Sequence, residues 1–320
     1  MRPIALPPNL VHHFYAGGAR IADLRGVAPA DRTPEEWIGA VNTTFDGSRG
    51  LSRLPGGALV RDAIARDPLG FLGPEHVSRH GTDPCLLVKL LDAGQRLPVH
   101  FHPGRAFAAK WLGSRHGKTE AWVIVDAEPG ASVHVGFAQA AELSTVRDWM
   151  AAQDAALLGA LRELPVAAGD AIFVPAGTPH AIGEGILLVE LQEPTDLSVM
   201  LEWEPFGLSD DDAHLGLGWD AALEALDTSA WGDERLAGVT GGGAGRSLLP
   251  AAADAFFRAE RVRGGDELDQ GFSILVGIAG SGELGDEPFG RGDAVLVPYG
   301  AGTLALTGDA EAIRCRPPAP

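Results

Sequence analysis

GDAIFVPAGTPH, residues 169–180, contains a Gly-Asp turn, an apolar run of strand length and a Pro-x-Gly-x2-His ending. Turn residues bound the apolar run on both sides, which is typical of a short β-strand. The chain contains 43 Gly and 23 Pro, spread between short apolar runs, so this pattern extends well beyond the segment. Turn residues at this frequency favour many short strands over long helices. We therefore predict a mainly β fold.

A second copy of this segment lies near the other end of the chain. Residues 292–303 read GDAVLVPYGAGT, with the Gly-Asp turn, the apolar run, the Pro and the second Gly at the same spacing. Thr303 occupies the position that corresponds to His180. Four shared anchors at one spacing indicate an internal duplication in which only the first copy keeps a metal ligand.

Further candidate ligands lie on strands before this segment. RLPVHFH (residues 96–102) alternates with period two, which places His100 and His102 on the same face of a strand. Glu120 opens the next apolar run, TEAWVIVDA. A single strand histidine is usually a surface or core residue, but three imidazoles and a carboxylate together suit zinc, iron, manganese or nickel. The sequence therefore predicts one metal site formed by His100, His102, Glu120 and His180.

The composition along the chain predicts three regions. Residues 1–205 are expected to form the metal-binding domain, and the Gly- and Pro-poor stretch at about 138–164 is expected to be a helical insertion in it. Residues 206–247 are acidic and then helical in pattern, which predicts a linker. Residues 248–320 return to short apolar runs and are expected to form a smaller, degenerate β domain.

Net charge and cysteine usage limit the partners and the compartment. The chain has a net charge of −18, which argues against nucleic acid or an anionic membrane as its partner. It contains no run of 18 apolar residues, and its N-terminus does not resemble a signal peptide. Cys85 and Cys315 are isolated in sequence, so a disulfide scaffold is not expected. We expect a cytoplasmic protein that acts on a small molecule.

The motifs taken together resemble a known family. Gly-x5-Pro-x-Gly-x2-His is the second motif of the cupins, and His-x-His followed by Glu is a stretched form of the first. Within that superfamily, three segments resemble class I mannose-6-phosphate isomerases: LLVKLLDAGQRLPVHFHP (86–103), GKTEAWVIVDAEPGA (117–131) and VPAGTPHAIGEGILLVELQEPTD (174–196). Trp37 in PEEWIGA also resembles an early family segment. The resemblance covers most of residues 1–205 and is thin over the C-terminal third.

The resemblance implies a fold, a metal site and an activity. Cupins are double-sheet jelly rolls, so it implies one metal-binding and one degenerate jelly roll. It assigns metal binding to His102, Glu120 and His180, with His100 where the family usually has Gln. It implies a zinc-dependent aldose–ketose isomerase that converts mannose 6-phosphate to fructose 6-phosphate, or acts on a related sugar, through an enediolate.

The resemblance also implies two catalytic residues. Lys118 would lie in the sugar pocket, and its spacing of two from Glu120 predicts that both side chains point the same way. Glu190 would be an acid/base group, and its apolar neighbours in ILLVELQ are expected to raise its pKa. His116 precedes the Gly117–Glu120 segment and could border the pocket, but we interpret it as a solvated loop residue.

Two departures from the family pattern affect the predicted chemistry. His100 in place of Gln gives a three-His, one-Glu set that also resembles germin-like and dioxygenase cupins. A metal-dependent oxygenase and a non-catalytic sugar-binding cupin therefore remain alternatives. Met200 stands where the family has an arginine. This predicts an altered or broadened sugar preference, unless another arginine fills the same space from a different strand. The remaining candidates for contacting a sugar phosphate are Lys118, Lys110, Arg105 and Arg147.

Overall fold

A computed structural model describes residues 1–243 and 245–319, and it confirms a mainly β fold in which every paired strand is antiparallel. The strands are β1 (Ile4–Ala5), β2 (Leu10–Val11), β3 (Glu35–Ile38), β4 (Leu87–Asp92), β5 (His100–Phe101), β6 (Glu120–Ala127), β7 (Ser132–Phe137), β8 (Leu161–Pro165), β9 (Asp170–Val174), β10 (His180–Ile182), β11 (Ile186–Gln192), β12 (Val199–Met200), β13 (Thr240–Gly242), β14 (Arg258–Arg263), β15 (Glu267–Leu268), β16 (Ser273–Ala279), β17 (Ser281–Leu284), β18 (Glu287–Gly290), β19 (Ala294–Val297), β20 (Leu304–Ala305) and β21 (Glu311–Arg316).

Short helices connect and cover the strands. The α-helices are α1 (Arg20–Arg25), α2 (Val60–Arg66), α3 (Pro68–Leu72), α4 (Pro74–His80), α5 (Arg105–Trp111), α6 (Leu143–Ala152), α7 (Ala155–Gly159), α8 (Asp210–Ala213), α9 (Trp219–Ala222) and α10 (Asp233–Ala237). Single 3₁₀ turns lie at Glu204–Phe206, Leu223–Ala225 and Tyr299–Ala301, and a longer 3₁₀ segment at Ala251–Ala255. None of the helices within the described residues has the length and apolar character needed to cross a bilayer.

Two sheets of the N-terminal part face each other. The larger has seven strands in the order β13-β9-β6-β11-β4-β3-β2, and the smaller has five in the order β12-β5-β10-β7-β8. Strands β4 and β11 are central in the larger sheet and buried along their whole length, in keeping with their apolar sequences. The space between the two sheets can therefore be lined by side chains from many different strands.

One row of side chains crosses the larger sheet on its inner face. Trp37 pairs with Lys89, Lys89 with Glu190, and Glu190 with Trp122, on four neighbouring strands. Because side chains alternate along a strand, Glu120, two residues before Trp122, lies on the same face. The sheet register thus brings two carboxylates and a lysine to one side of a buried surface.

The C-terminal strands form a separate five-stranded sheet, β1-β19-β16-β21-β14, with two small hairpin-like pairs, β15-β20 and β17-β18. Its first strand comes from the start of the chain, where Ile4 pairs with Leu296. The largest apolar core includes side chains of this sheet, such as Ile274 and Ile313, together with Val88 and Phe173 of the seven-stranded sheet. The two parts of the chain therefore share one core.

A second core joins the five-stranded sheet of the N-terminal part to the helices beside it. Phe101 and Phe137 pack there with Val146 and Met150 of α6 and with side chains of the segment around α8 and α9. Within the stretch at 138–164, helices α6 and α7 are followed by strand β8, which pairs with β7. Within 206–247, short helices are followed by strand β13, which joins the edge of the seven-stranded sheet.

The packing around Gly136 gives a stability prediction. Gly136 has φ +69°, and a Cβ there would lie 2.2 Å from the ring of Trp231, which is fully buried. Gly136→Ala should lower the free energy of unfolding by about 2–4 kcal/mol, because overpacking adds to the left-handed backbone cost. Gly130→Ala is the matched control, since its φ is +86° but open space surrounds its Cβ. Equal losses of unfolding free energy for the two variants in urea titrations would contradict a steric clash at Gly136.

Candidate metal centre

Two neighbouring strands bring three histidines together. His180, the first residue of β10, is the cross-strand partner of His100 on β5, so their side chains share one face of the five-stranded sheet. His102 follows one pleat after His100 and points to the same side, as its period-two spacing predicts. The ring nitrogens of the three lie within 4.8 Å of one another, and all three side chains are buried.

Backbone carbonyls orient each of the three rings. Nδ1 of His100 lies 2.8 Å from the carbonyl of Pro98, that of His102 lies 2.9 Å from the carbonyl of Leu197, and that of His180 lies 2.8 Å from the carbonyl of Thr178. A carbonyl only accepts hydrogen bonds, so Nδ1 of each ring carries the proton and donates it. Each neutral ring therefore presents the lone pair of Nε2 to the common centre, as metal-binding histidines do.

Glu120 reaches the same centre from the facing sheet. Its Oε2 lies 2.9 Å from Nε2 of His102, and its Oε1 lies 3.2 Å from Nε2 of His180. The indole of Trp122 donates a hydrogen bond to Oε1 over 3.1 Å, which holds the carboxylate in place. The structure thus brings all four ligands predicted from the sequence to one point.

The contacts at this centre are those of a site built for a cation. Nε2 of His100 and Nε2 of His180 are 3.0 Å apart, an arrangement that places two lone pairs against each other. Nε2 of His102 and Oε2 of Glu120 are buried and have no hydrogen-bond partner of acceptable geometry among the described residues. Buried polar atoms without a partner are costly, and a metal ion would satisfy all of them at once.

Burial and neighbouring charges keep these groups in the protonation states that bind metal. Burial lowers the pKa of His100 well below its usual value and lowers the pKa of His102 to about 3, so both rings are neutral at pH 7. Burial alone would raise the pKa of Glu120, but the charges around it, including the nearby Lys118, more than offset this and hold it well below its usual value. The cluster therefore offers neutral imidazoles and an ionised carboxylate.

Lys118 lies beside the cluster, on the side that its spacing predicts. Its Nζ is 3.7 Å from Oε2 of Glu120 and 3.4 Å from the hydroxyl of Ser198, to which it donates a hydrogen bond. The side chain is buried, and it lines the same cavity as His100 and Glu120. An ammonium in this position can donate a proton or a hydrogen bond to a molecule bound in the cavity.

Glu190 lines the same cavity and has one oxygen without a hydrogen-bond partner among the described residues. Burial raises its pKa to about 8, although the nearby ammonium of Lys89 acts in the opposite direction. The two charged groups are 3.5 Å apart, and Oε2 of Glu190 has no hydrogen-bond partner within the described part of the chain. A carboxyl group that titrates near neutrality can both take up and release a proton.

A buried network behind Glu190 was not predicted from the sequence. Glu35 lies 3.1 Å from Nζ of Lys89 and accepts hydrogen bonds from Tyr15 over 2.5 Å and from Trp37 over 2.6 Å. His13 lies 3.0 Å from the same carboxylate. Burial would raise the pKa of Glu35, but His13 and Lys89 hold it well below its usual value. The network therefore keeps the carboxylate of Glu35 ionised and Lys89 fixed.

The cavity in front of the cluster has a volume of about 160 Å³. Met200 lines it and is the cross-strand partner of His100 on the neighbouring strand. Among the described residues that line the cavity there is no arginine, and its cationic side chains are Lys89, Lys118 and, when protonated, His13. Three of the predicted phosphate contacts are engaged elsewhere: Lys110 with Glu224, Arg105 with Glu193 and Arg147 with Asp220.

His116 is not the solvated loop residue that the sequence predicted. Its ring is largely buried, and Nε2 lies 2.5 Å from a carboxylate oxygen of Asp83. Burial would lower its pKa, but the bonds to Asp83 and Glu193 raise it to about 9. Short-range sequence patterns carry no sign of this contact, because Asp83 lies on a separate loop.

Comparison with known proteins shows consistent likeness to one family. The chain is 34% identical over 193 residues to mannose-6-phosphate isomerase of Streptococcus mutans, a match that covers 58% of this chain and 56% of that protein. It is 29% identical over 320 residues to mannose-6-phosphate isomerase ManA of Bacillus subtilis, covering 93% of both chains. The chain thus spans about half of the first relative and nearly all of the second. No protein-family model matches the chain.

Solved structures show the same fold. The crystal structure of a Bacillus subtilis mannose 6-phosphate isomerase superposes with a TM-score of 0.77 at 23% identity, covering 99% of this chain and 100% of that one. A mannose 6-phosphate isomerase bound with zinc and yttrium superposes with a TM-score of 0.75 at 15% identity, covering 100% of both chains. The chain therefore shares the antiparallel β fold of these structures and carries a buried histidine cluster that could hold a metal. In sequence and in fold, the chain is similar to mannose-6-phosphate isomerases.

Proposed function

We propose that the protein is a metal-dependent aldose–ketose isomerase that acts on mannose 6-phosphate or a related sugar. The observation that carries the proposal is the meeting of a three-His, one-Glu cluster with two buried proton-transfer groups, Lys118 and Glu190, in one cavity. Relatives named as mannose-6-phosphate isomerases support the same activity.

The metal would be held by His100, His102, Glu120 and His180. Three neutral imidazoles and a carboxylate suit zinc, and iron, manganese or nickel would also accept this donor set. A relative of the same fold binds zinc, which favours that ion here. When bound, a divalent cation supplies the positive charge that polarises the sugar carbonyl and stabilises the enediolate.

The chain's own residues would carry the protons. Isomerisation moves one proton from C2 to C1 of the open-chain sugar and another from the C2 hydroxyl to the C1 oxygen. Glu190, whose Oε2 has no hydrogen-bond partner among the described residues and whose pKa is raised, would take the carbon-bound proton and return it to the neighbouring carbon. Lys118 is placed to exchange the oxygen-bound proton and to hold the substrate oxygens beside Glu120.

An oxygenase would use the same kind of metal ligands but would not need this pair of residues. A buried lysine and a buried carboxyl with a free oxygen are costly to maintain, and isomerisation gives both a role. Redox-inert zinc in the purified protein, together with aldose–ketose conversion, would support the isomerase. Tightly held iron and oxygen uptake would contradict it.

We also propose that the C-terminal sheet is a degenerate copy of the metal-binding jelly roll. Strands β9 and β19 each follow a Gly-Asp turn whose glycine has positive φ, +97° at Gly169 and +90° at Gly292. Thr303 offers a single hydroxyl where His180 offers an imidazole, so this copy would hold no metal. Its shared core with the seven-stranded sheet suits a role in stability.

The lining of the cavity supports an altered sugar preference. Met200 lies next to His100 and supplies neither a donor nor a charge, and both lysines of the cavity lie near carboxylates. Phosphate dianions are bound best by guanidinium forks. We therefore propose that the protein turns over unphosphorylated aldoses such as mannose at least as readily as mannose 6-phosphate.

Met200→Arg tests this preference. The variant should raise kcat/KM for mannose 6-phosphate relative to mannose by about tenfold or more, since one charge-assisted hydrogen bond contributes about 1.5–3 kcal/mol. Met200→Leu, which keeps the apolar character, should leave the ratio of the two substrates unchanged. Efficient phosphosugar turnover by the wild type, with no gain in Met200→Arg, would show that Met200 does not determine specificity.

A further inference from the structure

A second cavity lies outside the metal pocket, between the end of α4, the start of α5 and the loop before β6. It has a volume of about 270 Å³. Each of its ionisable side chains apart from the thiol of Cys85 is basic: Arg79, His80, Arg105, Arg115 and His116. No carboxylate lines it among the described residues, although the whole chain has a net charge of −18.

The three guanidinium groups keep most of their donors available. An arginine has five N–H donors. Arg79 donates to Glu75, and Arg105 donates to Glu193 and to the carbonyl of Ala255. Arg115 donates to the backbone carbonyl and the ring of His80, and its Nη1 lies 3.9 Å from a carboxylate oxygen of Asp83. About half of each of the side chains of Arg79, Arg105 and Arg115 is exposed, so these donors can reach a ligand from solution.

His116 adds a fixed positive charge at the inner wall of the cavity. Its contact with Asp83 keeps it protonated at neutral pH, with a pKa raised to about 9. His80, in contrast, is neutral because burial lowers its pKa. The thiol of Cys85 is inert, since burial raises its pKa to about 12. The lining thus holds four positively charged side chains and no nucleophile. Each of the four has a carboxylate partner outside the lining, so an anion would bind to the guanidinium donors that these partners leave open.

We propose that this cavity binds the phosphate group of a small phosphorylated metabolite. Planar guanidinium forks from three directions match the oxygens of a phosphate monoester, which carries close to two negative charges at neutral pH. The volume accommodates the phosphate and a part of the molecule that bears it, and the size excludes a nucleic acid strand. The proposal does not depend on the isomerase activity.

The cavity borders the metal pocket through one buried carboxylate. Glu193 accepts a hydrogen bond from Arg105 over 2.5 Å and another from the backbone amide of Thr119 over 3.0 Å. Thr119 lies between Lys118 and Glu120, both of which line the metal pocket. A phosphate that drew Arg105 away from Glu193 would therefore act on the segment that carries these two residues.

Calorimetric titration of the metal-loaded protein with inorganic phosphate tests the proposal. The double variant Arg79→Gln/Arg115→Gln should weaken phosphate binding by at least about tenfold, because it removes two guanidinium groups that can bind the phosphate oxygens. Both side chains are about half exposed. Arg263→Gln is the matched control, an arginine half-exposed on the C-terminal sheet and paired with Glu311, and it should bind as the wild type does. Ionic strength is held constant with chloride, since exposed charges are screened by salt.

Lys118→Gln separates this cavity from the metal pocket. The variant should leave the phosphate affinity unchanged. Parallel titrations with a hexose 6-phosphate and with AMP should show which kind of phosphorylated metabolite the cavity binds more tightly. The proposal is overturned if the wild type does not bind phosphate, if the double variant binds it unchanged, or if Lys118→Gln abolishes binding. None of these results depends on turnover, so a failure here is distinct from a failure of the proposed activity.

Discussion

His180→Ala is expected to abolish stoichiometric metal binding and to reduce sugar isomerisation to the background rate. The ring is fully buried, its Nε2 lies within 3.2 Å of both His100 and Glu120, and no other described side chain can take its place. Loss of a group that merely supports a ligand costs about 10–100-fold in metal affinity, and loss of the ligand itself should cost more. Metal content after dialysis, measured by mass spectrometry, reports the result.

His134→Ala is the matched control for that experiment. His134 lies on β7, the neighbour of β10, but it pairs with Ala181 and therefore points to the opposite face of the sheet. The variant should keep its metal and its turnover. Near-stoichiometric metal in His180→Ala, or equal losses in the two variants, would contradict the assignment of the site.

Glu190→Gln should keep the metal and the fold but lower kcat by about two to four orders of magnitude. An acid/base group contributes about 10²–10⁴-fold to a rate, and Gln has nearly the same shape but cannot accept a proton. The amide also remains compatible with Lys89, which keeps its contact with Glu35. Steady-state kinetics on mannose and mannose 6-phosphate, with metal content measured on the same sample, test the prediction.

The pH dependence of kcat/KM gives a second test of the role of Glu190. As a base, Glu190 acts only when deprotonated, so kcat/KM should rise with pH, reach half of its plateau near pH 8, where burial places the pKa, and level off above it. A bound cation favours the carboxylate, so with metal the inflection should lie at or below that value. The inflection should be absent in Glu190→Gln. An unchanged rate, or an unchanged inflection, would remove this residue from the mechanism.

Glu202→Gln controls for the loss of a buried carboxylate in general. Glu202 is as buried as Glu190, but it pairs with Arg96 over 2.7 Å and does not line the cavity. Its replacement should lower stability while the folded protein retains its turnover. A matching drop in kcat would mean that the effect of Glu190→Gln is structural rather than catalytic.

The metal cluster could be predicted from the sequence because its members carry local signals. His100 and His102 alternate on one strand, and His180 follows a Pro-Gly turn at a recognisable spacing. The strands that carry them are apolar runs bounded by Gly and Pro, so their type was clear without long-range information. What the sequence could not supply is the pairing that places Glu120 from one sheet against three histidines from another.

The network behind Glu190 was missed, although it left a trace. Lys89 stands in the middle of LLVKLL, and a charged residue inside a fully buried strand requires a partner. Its partner Glu35 lies more than fifty positions earlier, and only the sheet register reveals the pairing. The contact between His116 and Asp83 is likewise revealed only by the tertiary fold. Contacts between distant loops depend on the tertiary fold, whereas strand periodicity does not.

The pairing of Ile4 with Leu296 has a consequence for how the protein is made. Ribosomes add about 5–20 residues per second, so the first strand waits roughly 15–60 s before its neighbour exists. During synthesis the emerging chain can build the two facing sheets of the N-terminal part before β1 finds its partner. A nascent chain stalled before residue 294 would lack β19 and would expose the edges of β1 and β16, which are prone to mispairing.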